Sequence, residues 1–88
     1  MVLIHLSNKA RKDIKILSKE NKSLAGKALQ LIASILTDPY NGLGKPEKLK
    51  GDLKGYYSRR ISDKHRLIYV VKDNIITIVS LYGHYDDK

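Results

Sequence analysis

The sequence predicts an α+β domain: two N-terminal helices packed on a small, mostly antiparallel sheet, in the order β-α-α-β-β-β. Three observations carry this. Apolar residues recur at helical spacing between residues 9 and 36, and the period falls to two after residue 56. Between them lies a stretch holding both prolines and four of the six glycines. A chain of 88 residues has room for one core, so residues 1–88 are expected to form one domain, with 86–88 as a flexible tail.

Residues 2–6 are apolar around His5 and read as a first strand that joins an edge of the sheet. Ser7 or Asn8 offers an oxygen to an orphan amide and caps the first helix. Ala10, Ile14 and Leu17 then recur at i, i+4 and i+7 with charges between them. The polar run Lys19-Glu20-Asn21-Lys22 ends that stripe, and Ser23 is the expected cap of a second helix. Leu24, Ala25, Ala28, Leu29, Ile32, Ile35 and Leu36 form its apolar face. Asp38-Pro39 stops it, because the residue before proline is pushed out of the α region. A short turn between the helices makes an αα-hairpin.

Residues 38–55 read as a long loop, which is costly to order in a small domain and often functional. Residues 56–61 and 65–72 read as strands, with a turn at 62–64. Asp73-Asn74 is a tight-turn signal, and residues 75–82 are the last strand, a near-continuous apolar run suited to a sheet centre.

Composition narrows the function. Seventeen Lys and Arg against nine Asp and Glu give a formal charge of +8. Such an excess favours a polyanionic partner, nucleic acid first. The absence of Cys removes disulfides, thiol catalysis and Cys-ligated metals, and a reducing cytoplasm fits. No apolar run reaches the ~18 residues that span a bilayer, and the N-terminus lacks the pattern of a signal peptide, so no membrane partner is expected. The charge falls in two blocks. Residues 9–27 carry seven bases against Asp13 and Glu20 and read as the solvated face of a helix. Residues 45–66 carry eight against three acids, mixed with Gly and Tyr in a loop and strand where a phosphate backbone could be cradled.

Three groups carry chemistry: Glu47 among Lys45, Lys48 and Lys50; Arg66 after His65; and His84 within Tyr82-Gly83-His84-Tyr85. In an antiparallel meander the start of the 65–72 strand lies near the end of the 75–82 strand, so Arg66 and His84 share a neighbourhood. A carboxylate, a guanidinium and an imidazole are the parts for RNA transesterification without a metal: a base for the 2′-OH, a cation for the phosphorane, an acid for the leaving oxygen. Each also has a plain alternative. Glu47 balances its lysines, Arg66 pairs with Asp63 or Asp73, His84 is an ordinary residue near a terminus, and the tyrosines pack in place of the missing Phe and Trp. His5 and His65 read as structural. No His pair has metal-ligand spacing, and Gly42-Leu43-Gly44 matches no nucleotide loop, so no metal or other cofactor is assigned.

The segments Gly44-Lys45-Pro46-Glu47-Lys48-Leu49-Lys50, Leu53-Lys54-Gly55-Tyr56-Tyr57-Ser58-Arg59-Arg60-Ile61, His65-Arg66-Leu67-Ile68-Tyr69 and Tyr82-Gly83-His84-Tyr85 closely resemble the Txe/YoeB family of bacterial toxins, within the RelE superfamily. The resemblance implies a RelE-like fold and ribosome-dependent endoribonuclease activity on mRNA in the A site. It also implies a YefM-like antitoxin, the 70S ribosome with mRNA as target, and a homodimer as a further assembly. It assigns Glu47 as general base, Arg66 as phosphate clamp, His84 as general acid and Tyr85 as a substrate-positioning ring. Lys50 and Arg60 become phosphate contacts, joined by Lys45, Lys48, Lys54 and Arg59 from the basic block. Tyr57 departs from the family, which often has Trp there. The rival from another class is a catalytically inactive module that binds RNA, ribosome or antitoxin.

Overall fold

The computed structural model describes residues 2–83. The elements are β1 (Leu3–Leu6), α1 (Asn8–Glu20), α2 (Lys22–Thr37), β2 (Glu47–Lys48), a 3-10 turn (Gly51–Leu53), β3 (Tyr57–Arg60), β4 (Arg66–Lys72) and β5 (Ile75–Ser80). The strands form one sheet in the order β1-β5-β4-β3-β2. Only β1, at one edge, pairs in parallel, with Leu3 opposite Ile75. The β-α-α-β-β-β order holds, with one addition. The two-residue β2 pairs antiparallel with β3 inside the stretch expected to be all loop. Two residues are too few to show a period in sequence.

Ser7 caps α1, its Oγ accepting from the Ala10 amide at 3.0 Å. The cap of α2 is Asn21, whose Oδ1 accepts from the Ser23 amide at 2.9 Å; the expected Ser23 is the recipient of the cap. The buried face of α2 is Ala28, Leu31 and Ile35, with Leu24 and Ile32 half-buried. Leu29 and Leu36 were expected there but face solvent, and Leu31 was not expected and is fully buried. Each successive residue turns about 100° around a helix, so Leu29 points well away from Ala28.

The helices pack on one face of the sheet. Period two sends Leu67 and Tyr69 of β4 and Ile76 and Ile78 of β5 into that core, where they meet Ala10, Leu17, Leu31 and Ile35. The β4–β5 turn is tight, with positive φ at Asp73 (53°) and Asn74 (64°), as a type I′ hairpin requires.

The segment between α2 and β2 is ordered around one buried guanidinium. Arg59 of β3 is fully buried. Its Nε donates to Tyr69 Oη at 3.1 Å. Nη1 donates to Ser34 Oγ at 2.8 Å and the Leu43 carbonyl at 3.1 Å. Nη2 donates to the carbonyls of Asp38 at 2.7 Å and Asn41 at 3.0 Å. All five donors of the fork are thereby used. Carbonyls can converge so tightly only if side chains stay out of the way. A Cβ on Gly42, where φ is 123°, would stand 2.4 Å from Ser34 Oγ, and one on Gly44, where φ is 81°, 2.6 Å from Leu31 Cδ2.

Candidate active site

The face of the sheet opposite the helices carries the predicted chemistry. Glu47 lies directly across from Ser58, and Ser58 from Ile68. Arg60 lies across from Arg66. Alternate residues of a strand share a face, so Glu47, Ser58, Arg60 and Arg66 project together. Strand spacing and rise put the Cα atoms of Glu47 and Arg66 roughly 12 Å apart, a gap that two long side chains can close onto one phosphate. Glu47 is exposed and Arg66 half-exposed. Among the described residues neither forms an ion pair. Asp63, offered by sequence as a partner of Arg66, pairs instead with Arg60.

His84 and Tyr85, with the tail at 86–88, lie outside the described residues. The chain leading to them is described. The Arg66 amide donates to the Gly83 carbonyl at 3.1 Å, so the residue immediately before His84 lies beside the start of β4, as the meander argument required.

The basic residues separate into three groups. Lys48, Lys50 and Lys54 line a cavity of about 500 Å³ with Leu49, Tyr56 and Tyr57 at the β2 edge. Lys45 and Arg60 line a second hollow with Lys27. Arg59 belongs to neither. It was expected to contact RNA, but it is buried on the helix side with every donor taken, so it is a fold residue. Sequence reasoning counted its charge and missed that the pleat turns it away from Arg60.

Tyr57 stacks on Tyr69 with ring centroids 5.7 Å apart, and Tyr40 tilts onto Tyr57 at 5.3 Å. Burial pushes the Tyr69 phenol above its ordinary pKa, against the opposing effect of Arg59. Its hydroxyl donates to the Pro39 carbonyl at 2.6 Å. The Asp38 carboxyl is held below its ordinary range, chiefly by the Tyr40 amide that donates to it at 3.0 Å, then by the Asn41 side chain. Among the described residues no group of three or more His, Asp or Glu could hold a metal ion. No helix there is long and apolar enough to cross a membrane.

Two polar residues near the site, Ser58 and Asp13, were not singled out by sequence, and a third, His65, is structural as expected. Ser58, next to Glu47, is buried with an Oγ that has no partner among the described residues. Asp13 and His65 are buried and hold the segment before His84. Asp13 had a readable signal, because it stands on the apolar side of α1, beside Ile14 and between Ala10 and Leu17.

A family model described as a YoeB-like toxin of bacterial type II toxin-antitoxin systems matches residues 6–85. The chain is 47% identical to a toxin YoeB of Streptomyces coelicolor over 68 residues, 77% of this chain and 81% of the relative. It superposes on YoeB in a heterotetrameric YoeB–YefM complex from Staphylococcus aureus with a TM-score of 0.83 and 44% identity, covering 97% of this chain and 99% of that one. A YoeB dimer from the same organism gives a TM-score of 0.85 and 45% identity, covering 96% and 98%. By its sequence and its fold, this chain belongs to the YoeB-like toxins of bacterial type II toxin-antitoxin systems.

Proposed function

We propose that this toxin is a cytoplasmic, ribosome-dependent endoribonuclease that cuts mRNA in the A site and so stops translation. The observation that carries the reading is the shared open face of Glu47 and Arg66, with Gly83, the residue before His84, bonded to the Arg66 backbone. The Glu47 carboxylate takes the proton of the 2′-OH, and O2′ attacks the phosphorus. Arg66 grips the non-bridging oxygens, where charge builds, through two parallel N–H donors. His84, as imidazolium, gives its proton to the departing 5′-oxygen. The products are a 2′,3′-cyclic phosphate, open to hydrolysis to a 3′-phosphate, and a 5′-hydroxyl. Tyr85 positions the substrate base. Lys45, Lys48, Lys50, Lys54 and Arg60 hold the flanking phosphates. Few groups surround this site, and ribosomal RNA would supply the orientation that a naked strand lacks.

The regulating partner is a YefM-like antitoxin, as in the staphylococcal complex, and the staphylococcal dimer supports self-association. A net charge of +8 suits an acidic or disordered antitoxin segment as well as RNA. The test is expression of wild type and His84→Ala, with primer extension on a translated mRNA. Cuts within codons that vanish in the variant are expected, and uncut transcripts in both would end this reading. Growth arrest that persists when Glu47 and Arg66 are both replaced by Ala would mark the toxin as a binding module instead.

A further inference from the structure

Beyond Ser80 the chain leaves the strand ladder, yet residues 81–83 are held closely. The Leu81 and Tyr82 amides both donate to Asp13 Oδ2, at 2.9 and 3.2 Å. The Gly83 amide donates to His65 Nδ1 at 2.9 Å. The Gly83 carbonyl accepts from the Arg66 amide at 3.1 Å. Three consecutive amides are thus bound by side chains from α1 and from the residue before β4, where a strand would use its neighbour's backbone.

These side chains are costly to place there. Asp13 and His65 are each 4% exposed. A buried carboxylate needs strong donors, and Asp13 has two amides plus Lys9 Nζ at 2.8 Å. His65 must be unprotonated at Nδ1 to accept from Gly83, so its other nitrogen, Nε2, carries the hydrogen of the neutral ring. Nε2 faces Glu20 Oε1 at 3.6 Å, and the Tyr82 hydroxyl donates to the other oxygen of that carboxylate. The His65 and Tyr82 rings meet at 4.4 Å. Asp13 seats Leu81, which is fully buried, so part of its role serves the core. The His65 ring packs on Tyr82, but its bond to Gly83 seats no side chain, because Gly83 has none to bury. What its bond fixes is the backbone from which residue 84 departs.

We infer that Asp13 and His65 are positioning residues, which clamp residues 81–83 so that the next residue, His84, meets the leaving oxygen beside Arg66. The inference rests on the proposed role of His84 as general acid. Misplacing a reacting group by about 1 Å costs on the order of 100-fold in rate. A clamp of this kind acts on the acid step alone.

The test is single-turnover cleavage of ribosome-bound mRNA carrying either the normal scissile linkage or one in which sulfur replaces the 5′-oxygen. Thiolate leaves without a proton, so the sulfur substrate has no use for a general acid. His65→Leu is expected to lose about 10- to 100-fold in kcat on the oxygen substrate, with KM little changed, and to recover on sulfur. His84→Ala is the benchmark and should show the same pattern more deeply. If His84→Ala cuts both substrates like wild type, the acid assignment fails and the inference goes with it. If His84→Ala behaves as stated while His65→Leu is unimpaired, or equally impaired on both substrates, the clamp alone is overturned. Should His65→Leu not fold, His65→Asn against His65→Gln carries the test. Asn presents its oxygen where Nδ1 stood and should keep activity on the oxygen substrate, whereas Gln should not. Equal activities would overturn the clamp.

Discussion

Arg59 and Arg60 occupy consecutive positions of β3, and the pleat sends them to opposite faces of the sheet. On the helix side, Arg59 gives five hydrogen bonds to the protein and none to solvent. On the open side, Arg60 is exposed, paired with an exposed Asp63, and stands across from Arg66. The same side chain is structural in one place and, in the function we propose, a phosphate contact in the other. What separates them is one residue of register, which in a sheet decides which face a side chain joins. The helix face stores the stability, and the open face holds exposed charged groups, which we propose meet RNA.

The sharpest way to break this division is to disable the open face without touching the fold. Glu47→Gln should cut cleavage by about 100- to 10,000-fold, the span typical of a lost general base, and leave the melting temperature unchanged. A large fall in melting temperature would show that Glu47 is a fold residue and that the faces are not separate.

Arg59→Met is the converse. It keeps the apolar stem but strands four carbonyl or hydroxyl acceptors and the Tyr69 oxygen. A loss of roughly 3 kcal/mol or more is expected by denaturant unfolding, because hydrogen bonds to a charged group are the strong ones. A variant as stable as wild type would contradict the buried role.

Tyr69→Phe should cost less, about 1–2 kcal/mol, through the unpaired Pro39 carbonyl and Arg59 Nε. It also tests pH. The Tyr69 phenol is raised in the folded state, so its contribution is full below the ordinary tyrosine range and is lost as pH rises through the folded value. Wild type should therefore weaken at alkaline pH more steeply than Tyr69→Phe. Asp38 works in the other direction. Its folded pKa is lowered, so its contribution is present above the ordinary carboxylate range and is lost as pH falls through the folded value.

The smallest effect belongs to Arg60→Ala. Stability should change by no more than about 0.5 kcal/mol, since an exposed ion pair contributes little. Cleavage should weaken several-fold, more at low salt than at high, because one phosphate contact fewer makes binding less salt-dependent. An equal fall in stability for Arg59 and Arg60 variants would erase the contrast.

Much of this was readable from the chain, for identifiable reasons. The helices, the meander and the Asp73-Asn74 turn follow from period and turn chemistry, and the pairing of neighbouring strands then brings residue 83 to Arg66. Two things were not readable. The partners of Arg59 come from residues 10 to 25 positions away in sequence, and no local pattern marks a cation that will be enclosed by carbonyls. The hold of Asp13 on residues 81 and 82 spans 68 and 69 positions; its place on the apolar side of α1 marks it as buried, but nothing local names the amides it binds.

The parallel edge pairing bears on how the toxin is made. β1 has a single neighbour, β5, and the Ser7 hydroxyl that caps α1 also donates to the Val79 carbonyl, 72 positions on. During synthesis the first strand therefore emerges with nothing to pair with, and waits until the last strand clears the exit tunnel. Pairings of such wide separation form late and slowly. The sheet thus stays incomplete until β5, the last strand of the five, has been made.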